Sequence, residues 1–240
     1  MDNIMRLILL RHGQSQWNLE NRFTGWTDVE LTAKGRAEAR QAGELMISAG
    51  LKPRYCFTSY LRRAIHTAQL ALDQMRLDWI PVVKDWHLNE RHYGALQGLD
   101  KSDTAKRYGD EQVHIWRRSF DVLPPLLTTD DPRYPGFDPR YHDLGVEELP
   151  LAESLSDTIR RVQGCWSELI EPALRTHDTV LVAAHGNSLR GLAMLLLHYT
   201  ASEIVDVEIP TGSPWVFDLD DRLRVIGHRY LCCPPKALKK

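Results

Sequence analysis

No apolar run in this sequence approaches membrane-spanning length, and the opening Met1-Asp2-Asn3-Ile4-Met5-Arg6 lacks the basic, apolar and small-residue order of a secretory leader. A cytoplasmic protein with no membrane partner is therefore expected. Net charge is also scarce. Thirty lysines and arginines against 32 aspartates and glutamates leave a formal charge of −2, too close to neutral for bulk attraction to nucleic acid or an anionic surface. Any strong positive field must be local. The four cysteines, Cys56, Cys165, Cys232 and Cys233, form no CxxC pair and no metal spacing, so reduced and chemically idle thiols are expected. A Walker glycine-lysine loop and an HExxH helix are both missing, and Gly13-Gln14-Ser15-Gln16-Trp17 lacks the second glycine of a serine-hydrolase elbow. There is no internal repeat and no low-complexity linker, and 240 residues can bury one sizeable core, so a single domain over 1–240 is expected.

What is present is an alternation of short apolar runs and helical stripes. Leu7-Ile8-Leu9-Leu10 is continuously apolar and ends at Arg11-His12-Gly13. A later run, Thr179-Val180-Leu181-Val182-Ala183-Ala184, ends at His185-Gly186-Asn187. Both read as strands buried on two faces whose carboxyl ends open into polar loops. Tyr55-Cys56-Phe57-Thr58 leads through Ser59 into a helix beginning near Leu61. Residues 32–47 and 189–197 read as further helices, and Leu155, Ile159, Val162, Trp166, Leu169 and Ile170 fall on one helical stripe. Such alternation predicts an α/β fold with a mostly parallel central sheet flanked by helices. Prolines at 124, 125, 132, 135 and 139 make 122–150 an irregular insertion, expected to cover the site or to move. Residues 232–240 read as a short flexible tail, and Trp79-Ile80-Pro81-Val82-Val83 as an edge strand at a subunit interface.

Ligands of open α/β sheets bind at the carboxyl ends of the strands, so His12, His185 and the 59–63 turn are expected to converge on one rim. One His-Gly is weak; two, each closing a buried strand and one preceded by arginine, point to a site. The glycines let a ligand or a second backbone come close. Arg11, Arg63, Arg117 and Arg118 suit a phosphoryl group, whose charge spreads over its equatorial oxygens and whose oxygens match guanidinium forks. With no carboxylate cluster to hold a metal, arginines are expected to manage that charge instead. Arg62 and Arg160 read as surface ion pairs. His66, His87, His114, His142, His177, His198 and His228 have no comparable context, and His92 has no derivable role.

Leu10-Arg11-His12-Gly13 with Ser15, Trp17-Asn18 and Asn21-Arg22-Phe23-Thr24-Gly25-Trp26 resembles the histidine phosphatase superfamily, and within it the cofactor-dependent phosphoglycerate mutases. Leu88-Asn89-Glu90-Arg91-His92-Tyr93-Gly94, Leu96-Gln97-Gly98 with Lys101, Trp116-Arg117-Arg118-Ser119-Phe120, Ala184-His185-Gly186-Asn187-Ser188-Leu189-Arg190 and Ile209-Pro210-Thr211-Gly212 follow in the family's order. The Arg-His-Gly element alone indicates only the superfamily; the Glu-Arg-His-Tyr-Gly block is far more specific.

The resemblance implies that His12 carries the phosphoryl group, that Glu90 is the general acid and base, and that His185, Arg11 and Arg63 serve the transferring group. Gln14, Ser15, Asn18, Gly186 and Asn187 would add donors around it. Thr24, Gly25, Arg91, Tyr93, Lys101, Arg117 and Arg118 would hold the remainder of a phosphoglycerate substrate. It further implies 2,3-bisphosphoglycerate as the priming cofactor, no metal, no nucleic-acid partner, and a homodimer or a dimer of dimers. In elementary terms, His12 must be neutral to attack phosphorus, which nearby arginines favour, and Glu90 among anionic phosphates is pushed toward protonation. A phosphatase, a bisphosphoglycerate mutase and an inactive binding module remain open alternatives. The sequence departs from the family at Gln14, where many relatives carry glutamate, and in a tail shorter than that of many mutases.

Overall fold

The computed structural model describes residues 4–232. Six strands form one sheet: β1 (Met5–Arg11), β2 (Tyr55–Thr58), β3 (Val82–Lys84), β4 (Thr179–Ala184), β5 (Trp215–Leu219) and β6 (Val225–Tyr230), in the order β3-β2-β4-β1-β5-β6. The first four in that order run parallel; β5 and β6 are antiparallel additions at one side. The α/β sheet expected from the apolar runs is therefore mostly parallel, with β3 at its edge. Trp79, Ile80 and Pro81 precede that edge strand, and Trp79 is exposed.

Helices cover both faces, which is why β1 is apolar from Leu7 to Leu10 and β4 from Val180 to Ala184. Those used below are α1 (Gln16–Leu19), α2 (Ala33–Ser48), α3 (Arg62–Gln74), α4 (Lys101–Tyr108), α5 (Asp110–Arg118), α6 (Leu155–Cys165), α7 (Glu171–His177) and α8 (Gly186–Leu197). Successive side chains of a strand point to opposite faces. Leu7, Leu9, Val180 and Val182 accordingly pack with Ile159, Val162, Leu189 and Leu192 of α6 and α8, while Ile8, Leu10, Leu181 and Ala183 pack with Ala42, Met46, Ala68 and Leu72 of α2 and α3. The stripe expected over 155–170 is interrupted. After Cys165 the residues Trp166–Ile170 widen into a π-turn before α7, whose Pro172 has no N–H for the preceding turn.

The register of β1 on β4 positions the site. Leu10 pairs with Ala183 and Arg11 with Ala184, and the His12 N–H donates to the Ala184 carbonyl at 3.0 Å. His12 and His185 thus leave the sheet side by side. Thr58 of β2 pairs with Ala183 from the other side, which brings Ser59 to the same rim. Beyond β1 the chain runs against the first turn of α2, where backbone touches backbone. A Cβ on Gly13 would lie 2.1 Å from the Gly35 carbonyl oxygen, and one on Gly35 would lie 2.0 Å from that of Gln14.

The segment 122–150 folds into three short 3-10 turns rather than a loose loop. Arg140 binds Asp138 and Asp28, Arg133 binds Asp131 and the carbonyls of Ala95 and Gln97, and buried Tyr141 accepts from the Asn89 amide at 2.8 Å. Beyond Cys232, the tail expected at 232–240 lies outside the described residues. Cys56 and Cys165 are buried, and burial pushes the Cys56 thiol up to about 12, an inert state. No helix among the described residues is long and apolar enough to cross a membrane.

Gly35→Ala is expected to destabilise the protein by about 2 kcal/mol or more, because the obstruction is main chain and cannot rotate away. Urea unfolding measures it, and a midpoint equal to that of the parent would contradict the close packing described.

Candidate active site

A cavity of about 330 Å³ opens at the carboxyl rim of β1 and β4. Among the residues expected to form a site, Arg11, His12, Asn18, Thr24, Gly25, Arg63, Glu90, Tyr93, Lys101, Arg117, Arg118, Gly186 and Asn187 line it. Arg22, Phe23, Arg190, Glu208, Ile209 and Pro210 also line it and were not anticipated as site residues. Seven cations (Arg11, Arg22, Arg63, Lys101, Arg117, Arg118 and Arg190) face two carboxylates, Glu90 and Glu208. The positive field absent from the chain as a whole is concentrated here. None of residues 122–150 lines the cavity; the segment expected to cover it meets the site from behind, through Tyr141 and Asn89.

At the floor, the rings of His12 and His185 meet edge to face with centroids 4.9 Å apart. His12 Nδ1 stands 2.7 Å from the Gly13 carbonyl. A carbonyl only accepts, so Nδ1 carries the proton and Nε2 the lone pair. Burial, then Arg63 and Arg11, push the His12 pKa well below its ordinary value and keep the ring neutral. His185 is fully buried beneath the wall, and burial, Arg63 and His12 depress it in the same way.

Arg63 lies in the first turn of α3 and is almost wholly buried, with Nη1 on the Thr27 carbonyl at 3.0 Å and Nη2 on that of Gly25 at 2.8 Å. Gly25 holds a φ of +55°, and a Cβ there would strike Gln97, so glycine is required to offer that carbonyl. Arg11 donates Nη1 to the Ile209 carbonyl at 2.8 Å. The Nε atoms of Arg11 and Arg63 and the Nδ1 of His185 are buried without a protein partner. Burial lowers Arg63 and Arg190 to about 10, and both stay charged at neutral pH.

Glu90 is not paired with the guanidinium of Arg91. Its Oε1 accepts from the Arg91 backbone N–H at 2.8 Å and from the Asn187 side-chain amide at 2.8 Å. Burial pushes this carboxyl up, but those bonds with Arg11 and Arg63 more than offset it and hold Glu90 below its usual range. The protonation expected from sequence therefore has to come from bound phosphates; without them Glu90 is a base. Arg190 donates Nη1 to Asn187 Oδ1 at 3.0 Å, which turns the Asn187 NH₂ toward Glu90. From behind, the Glu90 carbonyl accepts from Trp26 Nε1 at 2.6 Å and from Arg161 Nη2 at 3.0 Å. Arg161 is locked on Glu153 at 2.7 and 3.0 Å, and both side chains are buried. Glu153 in turn accepts the His92 N–H at 2.8 Å.

Four expected residues do not line the cavity: His185, buried beneath it against His12, and Gln14, Ser15 and Arg91. Gln14 turns to Thr32, accepting from its hydroxyl at 2.9 Å, and its backbone N–H donates to Glu38. Ser15 caps α1 through a reciprocal bond with Asn18. Arg91 donates Nη2 to the carbonyls of Trp116 and Arg117 at 2.8 and 3.1 Å and lies over the Tyr93 ring, so it braces the end of α5 that carries Arg117 and Arg118. Arg62 and Arg160 make the expected surface pairs with Asp28 and Glu30, and with Asp157. His92 is buried beside Trp26, pushed down to about 3 by burial and by Arg161 and Arg133. Among the described residues, no group of three or more His, Cys, Asp or Glu side chains is placed to hold a metal ion.

A neutral imidazole, an ionised carboxylate and a wall of fixed cations at the switch point of a parallel sheet define a site suited to phosphorylated anions. The chain belongs to the histidine phosphatase superfamily (branch 1), whose sequence pattern matches residues 7–131 and 127–229. A 2,3-bisphosphoglycerate-dependent phosphoglycerate mutase of Parabacteroides distasonis is 55% identical over 234 residues, 98% of this chain and 94% of the relative. A protein of the same name from Porphyromonas gingivalis is 53% identical over 235 residues, with the same coverage of 98% and 94%. Among solved structures, a mycobacterial glucosyl-3-phosphoglycerate phosphatase complexed with VO3 aligns with a TM-score of 0.71 at 25% identity, over 94% of this chain and 96% of its own. Another, named mycobacterial hydrolase 1, gives a TM-score of 0.71 at 24% identity over 98% and 100%.

Three buried neutral histidines set an acid limit on stability. Because the folded pKa values of His12, His92 and His185 lie below the unfolded value of 6.5, the unfolded chain takes up protons first. The stability they leave intact above that pH is lost as pH falls below it, at up to about 1.4 kcal/mol per histidine per unit. Urea unfolding at pH 7.5 and 5.5 checks this; equal stability at both would contradict burial of the neutral rings.

Proposed function

We propose that this chain is a 2,3-bisphosphoglycerate-dependent phosphoglycerate mutase, interconverting 3-phosphoglycerate and 2-phosphoglycerate through a phosphoryl group carried on His12. The observation that carries the reading is His12 itself: a neutral ring with its proton tied to Gly13, its other nitrogen free, and Arg11 and Arg63 beside it with unpartnered Nε donors. The likeness to mutases at 55% and 53% identity supports the choice of substrate. The excess of seven cations over two carboxylates fits a ligand with two phosphates and a carboxylate.

In this scheme Arg11, Arg63 and His185 hold the transferring phosphoryl group, with Asn18, Gly186 and Asn187 beside it. Thr24, Gly25, Tyr93, Lys101, Arg117 and Arg118 hold the rest of the substrate, with Arg190 added to them. Gln14, Ser15 and Arg91 serve as the frame behind that wall. The bisphosphate supplies the priming phosphoryl group. Glu90 takes the proton of the hydroxyl that receives the group from His12, and returns one to the alkoxide when His12 accepts it again. Metal independence belongs to the reading, as do a cytoplasmic location and a homodimer or dimer of dimers, for which exposed Trp79 beside β3 is the supporting feature.

Incubation with 3-phosphoglycerate in excess chelator, with and without catalytic 2,3-bisphosphoglycerate, is the deciding experiment. Formation of 2-phosphoglycerate is expected to depend strongly on the bisphosphate; release of inorganic phosphate in its place would turn the assignment to a phosphatase. His12→Ala is expected to lower turnover by about four orders of magnitude or more and to abolish acid-labile label on the protein. Glu90→Gln should slow transfer by roughly 10²- to 10⁴-fold while the label on His12 persists, and rapid kinetics on the two variants separate these effects.

A further inference from the structure

Of the two tautomers open to His185, one leaves fewer buried groups without a partner, and it runs through Ser59. Ser59 directly follows β2 and is fully buried. Its Oγ stands 2.8 Å from His185 Nε2 and accepts the backbone N–H of Leu61 at 3.1 Å. A serine hydroxyl has one proton to give and two positions to receive. Were the His185 proton on Nε2, Ser59 would receive two donors and its own proton would be buried with no acceptor. The bare Nδ1 would also be buried, since that atom has no partner. With the hydroxyl donating to Nε2, Ser59 and Nε2 are both satisfied, and one group alone stays open, an Nδ1–H.

We propose that Ser59 is a positioning residue for phosphoryl transfer: its hydroxyl donates to His185 Nε2 and so holds the His185 proton on Nδ1, ready for an oxygen of the group on His12. The two rings are 4.9 Å apart, and phosphoryl oxygens are strong acceptors that a bare nitrogen lone pair would repel. Both histidines then carry their proton on Nδ1, for opposite ends. On His12 this bares Nε2 as the nucleophile; on His185 it keeps a donor pointed away from Ser59. The acceptor in this account rests on the proposed His12 chemistry, whereas the position of the proton does not.

The test uses the full chain labelled with ¹⁵N-histidine at neutral pH. Two-bond proton–nitrogen correlations distinguish protonated from bare ring nitrogens. The parent is expected to show His185 with Nδ1 protonated and Nε2 bare. In Ser59→Ala the proton is expected to move wholly or partly to Nε2, and phosphorylation of His12 by 2,3-bisphosphoglycerate to slow by about tenfold or more. Binding of phosphoglycerate should change less than about twofold, as expected for a donor used chiefly in the transition state. Ser59→Thr, which keeps the hydroxyl, should restore both the signature and the rate. An Nε2–H tautomer in the parent overturns the proposal even if Ser59→Ala does not fold, and a folded Ser59→Ala that keeps either tautomer or rate overturns it as well. A parent that shows the expected tautomer but never labels His12 would instead refute the mutase reading.

Discussion

The in-register parallel pairing of β1 with β4 is the constraint on which the site depends. Arg11 opposite Ala184 means that the next residue on each strand is a histidine, and the His12 N–H on the Ala184 carbonyl fixes the offset. A slip of one residue would turn Leu7 to Leu10 inside out and exchange the helices they pack on. Because both strands are buried on two faces, such a slip is strongly disfavoured. The apolar core therefore sets the distance between two imidazoles it never touches chemically.

The second constraint is the burial of like charge. Arg11, Arg63 and Arg190 converge where water is largely excluded, answered at close range by carbonyl acceptors and Asn187 and by the charge of Glu90, with Glu208 and Asp28 adding to it. Burial first, and then this wall, hold both histidines neutral, while the bonds from the Arg91 N–H and Asn187 together with Arg11 and Arg63 outweigh burial and keep Glu90 ionised. The same cations thus act on His12, His185 and Glu90 together. Precise aim comes from the layer behind: Trp26 and the Glu153–Arg161 pair grip the backbone of Glu90, while Arg91 steadies the end of α5.

Strands β1, β2 and β4 were legible in the sequence because a strand covered on both faces is apolar without interruption. The antiparallel pair was not read. In β6 exposed Ile226 and Arg229 break any simple alternation, and nothing local marks Trp215-Val216-Phe217 as a strand instead of part of a loop. The site residues read most securely were those that end buried strands. Chain neighbours were less safe: Gln14 and Arg91 sit beside His12 and Glu90 in sequence, but their side chains leave in other directions and find Thr32 and the α5 carbonyls. Arg161 was invisible for the opposite reason. On α6 it follows Arg160, and nothing in two adjacent arginines tells which is exposed and which is locked inside with Glu153. Arg190 lay within a recognised block and needed the fold to bring it to the cavity.

The unpartnered donors of Arg11, Arg63 and His185 carry a thermodynamic corollary. Buried polar groups left open cost free energy in the empty protein, and an anion that satisfies them binds the folded chain but not the unfolded one. The conformational equilibrium is therefore linked to metabolite concentration, rising as the logarithm of ligand over its dissociation constant. In a cell rich in phosphorylated acids the resistance of this fold to unfolding and proteolysis would follow the supply of the molecules it handles, and starvation would loosen it.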